Sequence, residues 1–239
     1  MYQAIGFDLG ETLIHYQGVP LNWQSLYQDA LAHVAKSCGY QGSQETLAQA
    51  AAILSRYNTR LYPRTYEVSA DHILEEILRA WEVSHLRYLN TAKQAFFSFF
   101  QRKLILYQDT LPLLQTLKAK GIKVGVLTDV AYGMDRVYAE QDLESFAEYI
   151  DVFLTSADVG YRKPASPGYL ALAKRLEVQA ETIAFVGNEE KDIIGANNAG
   201  MFSILLDREQ KNLHYGEQRR ISSLAELLTL FTYGKCPTK

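Results

Sequence analysis

The chain has 239 residues, 48% hydrophobic, 21% charged and 12% aromatic, a composition that excludes a disordered tail, a collagen-like repeat and a low-complexity protein. Lys and Arg number 24 against 27 Asp and Glu, a net charge of −3, so nothing in the balance points to nucleic acid or an anionic membrane surface as a partner. At about 150 residues per domain, the length is large for one small core and short for two in series.

The first residues carry no basic stretch followed by a long apolar run, so no signal peptide is expected. No run of about 18 apolar residues marks a membrane span. Cys38 and Cys236 lie far apart and make neither a disulfide framework nor a zinc pattern. These features lead to the expectation of a cytoplasmic protein.

In chain order, residues 4–7 form an apolar run that stops at Asp8. Four or five near-continuous apolar residues suit a buried strand in a parallel sheet. From about residue 16 to 105 no convincing strand follows, and four stripes at helical spacing appear instead. Trp23, Leu26, Tyr27, Ala30, Leu31, Val34 and Cys38 lead to a stop at Gly39. Leu47, Ala50, Ala51, Leu54 and Leu61 make the second stripe, and Ile73, Leu74, Ile77, Leu78 and Trp81 the third. Phe96, Phe99 and Phe100 make the fourth, opened by a Thr91/Gln94 capping box.

Thr110 then stands as the cap of a helix through Leu113, Leu114 and Leu117 to Gly121. Residues 124–127 before Thr128, and 152–154 before Thr155, read as strands. Ser166-Pro167 reads as an N-cap with proline at the first helical position, and Leu170, Ala173 and Leu176 share a face of the helix that follows. Residues 183–186 read as a strand, 189–199 as a helix closed by Gly200, and 202–206 as a strand before Asp207. Ser223 and Glu226 make a capping box for a last helix over 224–231. Alternating strands and helices predict an α/β fold, a Rossmann-like parallel sheet core flanked by helices. The expected domains are an α/β catalytic core from residues 1–15 and 106–239, and a four-helix cap from 16–105 inserted after the first strand.

Open parallel sheets bind ligands outside the carboxyl ends of their strands. Four segments fall there: Asp8-Leu9-Gly10-Glu11-Thr12-Leu13; Thr128-Asp129 after Val124-Gly125-Val126-Leu127; Gly160-Tyr161-Arg162-Lys163-Pro164; and Gly187-Asn188-Glu189-Glu190-Lys191-Asp192. Each alone reads as an ordinary cap or turn. In this order, at connected strand–helix junctions, the set resembles the motifs of the haloacid dehalogenase superfamily of phosphohydrolases and related enzymes. The first motif of that family is normally Asp-x-Asp-Gly-Thr-Leu, and the helical insertion after it is similar to the family's cap.

The resemblance implies a hydrolase in which Asp8 is the nucleophile and forms an aspartyl-phosphate. Mg²⁺ is the implied cofactor, because an anionic phosphate repels a carboxylate until the charge is offset. Asp8 and the backbone carbonyl of Gly10 are implied ligands, with Asn188, Glu189 and Asp192 as candidates for the rest. Thr128, Asp129 and Lys163 are the implied phosphate-binding residues, Thr128 and Lys163 also acting in catalysis. The implied partner is a small phosphorylated metabolite, with no nucleic acid and no membrane; the residues name neither the substrate nor the oligomeric state.

Two positions depart from the family pattern. Gly10 replaces the aspartate that usually protonates the leaving group and then activates water, help worth roughly 10²–10⁴-fold. Asn188 stands where an aspartate ligand is usual, bringing an oxygen without a charge. The alternatives are therefore a phosphonatase or dehalogenase reaction on the same scaffold, or a catalytically weak phosphate-binding regulatory protein. A phosphonatase needs a Schiff-base lysine from the cap, where Lys36 and Lys93 are the lysines considered, Lys103 lying at its very end.

Overall fold

The computed structural model describes residues 2–101 and 104–229. In chain order the elements are β1 (Ala4–Phe7), β2 (Ile14–Tyr16), α1 (Tyr27–Ser37), α2 (Gln44–Tyr57), α3 (Ala70–Ala80), α4 (His85–Phe100), β3 (Leu104–Leu106), α5 (Thr110–Ala119), β4 (Lys123–Thr128), α6 (Arg136–Ala139), β5 (Val152–Thr155), α7 (Ser156–Val159), α8 (Ser166–Leu176), β6 (Ile183–Gly187), α9 (Glu190–Asn198), β7 (Phe202–Leu206) and β8 (Arg219–Ile221). They fall into two compact units. One comprises the described residues of 1–15, 105–129 and 143–239; the other comprises those of 16–104 and 130–142.

The first unit is built on a six-stranded sheet in the order β5-β4-β1-β6-β7-β8. Every pairing is parallel. The α/β, Rossmann-like architecture expected from the alternating pattern is present. β1 lies between β4 and β6, with Phe7 in register with Val126 on one side and Val186 on the other. Both β1 and β6 are buried along their whole length, which is why their sequences show no polar alternation. The order reverses direction about β1, and such a switch point opens a crevice at the carboxyl ends of the strands.

A cluster under the sheet joins Leu127, Leu154 and Phe185 to Tyr169, Leu172 and Leu176 of α8 and Ala196 of α9. Tyr169 is fully buried, its ring edge-on to Phe185 at 4.8 Å. Its hydroxyl donates to the carbonyls of Lys191 and Asp192 at 3.2 Å each. The aromatic ring thus fills the core while its polar end ties α8 to the first turn of α9.

The second unit packs α1 against α2 and α4, and α3 against α2 and α4. Leu31, Val34, Leu54, Ile77, Phe96, Phe97 and Phe100 are buried within it, as the stripes predicted. Trp23 stacks on Phe100 at 3.8 Å. Tyr132 joins this cluster 5.6 Å from Trp23, its hydroxyl hydrogen-bonded to that of Tyr27.

Several elements differ from the expectation. β2 and β3 pair with each other at the ends of the helical stretch; at three residues each, they are too short to show a period. β8 is an edge strand of Arg219, Arg220 and Ile221, half solvated and so without an apolar run. α4 starts at His85, six residues ahead of Thr91, so the Thr91/Gln94 capping box lies inside the helix. Asp109 takes the cap position of α5, and Thr110 instead donates its hydroxyl to the Leu13 carbonyl at 2.8 Å. Ala165, not Ser166, precedes α8, with Pro167 in the first turn as expected. α2 ends at Tyr57, before Leu61, which is 39% exposed. The Ser223/Glu226 capping box forms on a 3₁₀ turn, Leu224–Leu227; positions 230 and 231 of the expected helix, and Cys236, lie outside the described residues. Residues 130–142, expected in the α/β core, belong with the helical unit. No helix among the described residues is long and apolar enough to cross a membrane.

Gly133 carries the attachment of that last segment. Its φ is +62°, and a Cβ there would stand 1.9 Å from the Val68 carbonyl oxygen. Gly133→Ala meets both a left-handed backbone and a backbone clash. Urea unfolding should show a loss of about 1–3 kcal/mol.

Candidate active site

Asp8 is the first residue past β1. Its amide still donates to the Val186 carbonyl at 2.8 Å, so its backbone continues the sheet. Thr128 closes β4, in register with Thr155 of β5. Asn188 and Glu189 follow β6 and lead into α9. Lys163 comes from the loop between α7 and α8. All of these lie in the α/β unit, at the carboxyl edge of the sheet.

The Lys163 ammonium donates to Asp8 and, at 2.5 Å, to Asp192 Oδ1. Asp8 is 8% exposed, Lys163 5% and Asp192 0%. One buried cation therefore faces two buried carboxylates. Burial pushes the Asp8 carboxyl up to about 7; Lys163 pulls against that rise and Asp192 adds to it. Burial works against the charge on Lys163, but Asp192 and Asp8 outweigh it, so the ammonium is held well above its usual range.

Asp192 has no acceptor oxygen left over. Oδ1 takes Lys163, and Oδ2 takes the amides of Asn188 at 3.1 Å and Glu189 at 2.9 Å. It fastens the loop after β6 and orients the lysine. Gly187 makes this approach possible, since a Cβ there would fall 2.3 Å from that of Asp192.

Asp129 plays a similar part. One of its oxygens accepts from the Lys163 amide and the other from the Lys191 ammonium, each at 3.0 Å. The Arg162 guanidinium stands 3.8 Å away. Burial acts to raise Asp129, but Lys191, Arg162 and Lys163 together hold it below the usual carboxylate range. Lys191 also pairs with Glu189 at 3.0 Å. Asp129 therefore supports the lysine loop, and its carboxylate is already surrounded by cations of the protein itself.

The first loop is joined to the fourth. Thr12, fully buried, donates to Asn188 Oδ1 at 3.2 Å. Gly10 is bridged to Ile14. Glu11 sits at φ +57°, and its carboxylate accepts from the Tyr107 hydroxyl at 2.8 Å. The Thr128 hydroxyl makes no hydrogen bond among the described residues.

Thr12 and Lys191 were present in the motifs without an assigned role. A Thr two residues beyond a loop glycine carries no spacing that distinguishes a buried tie from a turn. Lys191 reads as a solvated helix residue until the fold brings Asp129, 62 positions away in the chain, against it.

A family model for haloacid dehalogenase-like hydrolases matches residues 2–200, nearly the whole run of these motifs. The chain belongs to that family. Among solved structures, a 2-haloacid dehalogenase from Pseudomonas syringae pv. Tomato DC3000 is similar over 97% of this chain and 98% of its own, with a TM-score of 0.70 and 24% identity. A HAD phosphatase from Thermococcus onnurineus covers 96% and 98%, with a TM-score of 0.66 and 20% identity. At these identities the likeness concerns the fold.

Among curated relatives, a ribulose-1,5-bisphosphate 5-phosphatase from Halopiger xanaduensis is 28% identical over 49% of this chain and 49% of its own. A glyceraldehyde 3-phosphate phosphatase from Methanothermobacter thermautotrophicus is 26% identical over 87% of each. This chain spans about half the length of the first curated relatives it matches.

The charge arrangement has a direct consequence for stability. Lys163→Met strands two buried carboxylates, and breaking such a pair costs roughly 3–5 kcal/mol. Without the lysine, burial and Asp192 raise the Asp8 carboxyl unopposed by that cation, so near neutral pH the folded variant binds more protons than the unfolded chain. Its stability relative to wild type should recover as pH falls from about 8 to about 5.5. Urea unfolding at the two pH values checks the sign.

Proposed function

We propose that this chain is a Mg²⁺-dependent phosphatase of a small phosphorylated metabolite, acting through an aspartyl-phosphate on Asp8. The observation that carries this reading is the set formed by Asp8, the Lys163 ammonium bound to it, and Thr128 at the end of the neighbouring strand. A carboxylate nucleophile, a cation against it and a hydroxyl with no partner among the described residues are the parts a phosphoryl group needs. The names of the curated relatives, phosphatases of glyceraldehyde 3-phosphate and ribulose bisphosphate and a pyrophosphatase, support a small phosphorylated metabolite as substrate without fixing its leaving group.

The donor set suits Mg²⁺, which takes oxygen ligands, needs one or two carboxylates and keeps several waters. Asp8 has a second carboxylate oxygen. The Gly10 carbonyl accepts no protein hydrogen bond among the described residues. Asn188 presents an amide oxygen tied to the same loop through Thr12. Asp8, Gly10 and Asn188 are the residues we place around the ion. Glu189 is the nearby carboxylate in reserve, paired with Lys191. Asp192 positions Lys163, and Asp129 holds the Lys163 loop. Mg²⁺ in that place supplies charge that offsets the repulsion between phosphate and nucleophile.

In the reaction, Asp8 attacks phosphorus as the bond to the leaving oxygen breaks and that oxygen departs with the electron pair, the Lys163 ammonium neutralises charge on the nucleophile and the phosphoryl group, and the Thr128 hydroxyl donates to a phosphoryl oxygen. Water then releases phosphate from Asp8.

The phosphonatase alternative is not favoured by the described lysines of the helical unit. Lys93 is held between Asp71 at 2.7 Å and Asp135 at 2.8 Å. Burial works to lower its proton affinity, but the two carboxylates raise it above the usual range, whereas a Schiff base needs a neutral amine. Lys36 is exposed in the last turn of α1.

Purified protein should release phosphate from p-nitrophenyl phosphate with Mg²⁺ present, and chelation should abolish this. Asp8→Asn should fall to background. Equal rates in the two proteins end the nucleophile assignment, and a wild type inert across a panel of phosphate esters favours the binding-protein reading.

A further inference from the structure

We propose that this site selects phosphate compounds whose leaving group departs without being protonated, namely aryl, acyl or enol phosphates and phosphoanhydrides, over alkyl phosphates. The proposal rests on the phosphatase reading above and narrows its substrate class. It rests on where the polar side chains of the loops around Asp8 in the α/β unit are engaged.

The loop after the nucleophile offers nothing. Gly10 has no side chain, and it is not there for space or backbone shape. A Cβ at this position meets no heavy atom within 4 Å, and its φ lies outside the left-handed region that favours glycine. Glu11, one residue on, is turned away: its left-handed backbone hands its carboxylate to Tyr107 at 2.8 Å. Tyr107 is in turn covered by the Arg208 guanidinium 3.9 Å above its ring, and Arg208 is paired with Asp109 at 2.9 Å. Rotating Glu11 into the site breaks into this stack. The Thr12 hydroxyl is given to Asn188.

The other loops offer nothing either. Asp192 has both oxygens engaged, and Asp129 is held in its charged form by three cations. Glu189 faces Lys191. The Lys163 ammonium is committed to the carboxylates of Asp8 and Asp192. The Tyr169 hydroxyl is directed at backbone carbonyls under α9. His15 packs edge-on against Tyr107 at 4.8 Å, and His214 pairs with Glu217 at 3.0 Å.

The chemistry follows from this inventory. As the Asp8 oxygen bonds to phosphorus, the bond from phosphorus to the leaving oxygen breaks and that oxygen keeps the electron pair. With no acid in place among the described residues of the α/β unit, it leaves as an anion and takes a proton from water afterwards. A phenolate, carboxylate, enolate or phosphate can bear that charge; an alkoxide cannot do so at a comparable rate. Water then attacks the phosphorus of the aspartyl-phosphate, and the bond to Asp8 breaks. Inorganic phosphate leaves, the carboxylate is regenerated, and the proton of the water passes to phosphate or solvent.

The test is a series of phosphate monoesters running from p-nitrophenol through phenol to a primary alcohol, assayed with Mg²⁺. In wild type, kcat/KM should fall by at least about 100-fold along the series, the scale of missing acid help. Gly10→Asp, at a position where a Cβ meets no heavy atom within 4 Å, should raise the alkyl ester by about tenfold or more and change the nitrophenyl ester far less. Alkyl and aryl esters within about tenfold of each other in wild type overturn the proposal, because a proton is then being supplied. So does a folded Gly10→Asp with an unchanged alkyl-to-aryl ratio; the wild-type series stands without this variant if it does not fold. Failure of the phosphatase reading looks different, with no ester hydrolysed or with Asp8→Asn as active as wild type.

Discussion

A single ammonium between two carboxylates organises the carboxyl edge of this sheet. Lys163 reaches Asp8 and Asp192 from inside the protein, and none of the three has water enough to carry its charge alone. Removing the lysine leaves two buried carboxylates uncompensated, whereas removing either carboxylate leaves a one-to-one pair. The remaining polar residues of the edge serve this trio. Asp129 fixes the backbone of the lysine, Asp192 fixes the loop after β6, and Tyr169 anchors the turn that carries Asp192. A well-packed apolar trio of similar volume would be as stable or more so. The charges persist in a place where stability alone would not select them, as expected of residues kept for chemistry.

The same trio explains how the fold and the site are coupled. The strands β4, β1 and β6 are held in register by buried apolar residues, and that register brings Asp8, Thr128 and Asn188 to one edge. A slip of one residue in β1 would turn the Asp8 side chain to the opposite face of the sheet and away from Lys163. The dense packing of Phe185, Tyr169 and Leu172 therefore sets the geometry of the site at a distance.

Much of this was legible in the sequence, and the boundary of legibility is physical. Buried strands such as β1 and β6 appear as unbroken apolar runs because they are buried along their whole length. The helices of the second unit appear because one face of each is apolar over several turns. What escaped was structure with no period to read: the three-residue β2 and β3, and β8, whose arginines are solvated along a sheet edge. Cap assignments were local guesses at Thr91, Thr110 and Ser166, and tertiary partners such as the Leu13 carbonyl took the hydroxyl of Thr110 instead. At the site the residue types were legible and the pairings were not. Whether Asp192 faces solvent or Lys163, or whether Glu11 turns in or out, depends on residues far along the chain.

The run of chain directly after Thr128 and Asp129 gives the molecule an unusual modularity. Because residues 130–142 group with the helical unit, the helices are not a single insert that can be cut out at two points. A minimal α/β domain made by deleting 16–104 would keep Val130, Tyr132 and Met134, which are buried in the intact chain, with the helices they pack among gone. Recombination that exchanges helical units between relatives would therefore have to carry this second segment as well. Its inner crossing falls one residue beyond Asp129, so the graft point lies beside the carboxylate that holds the Lys163 backbone.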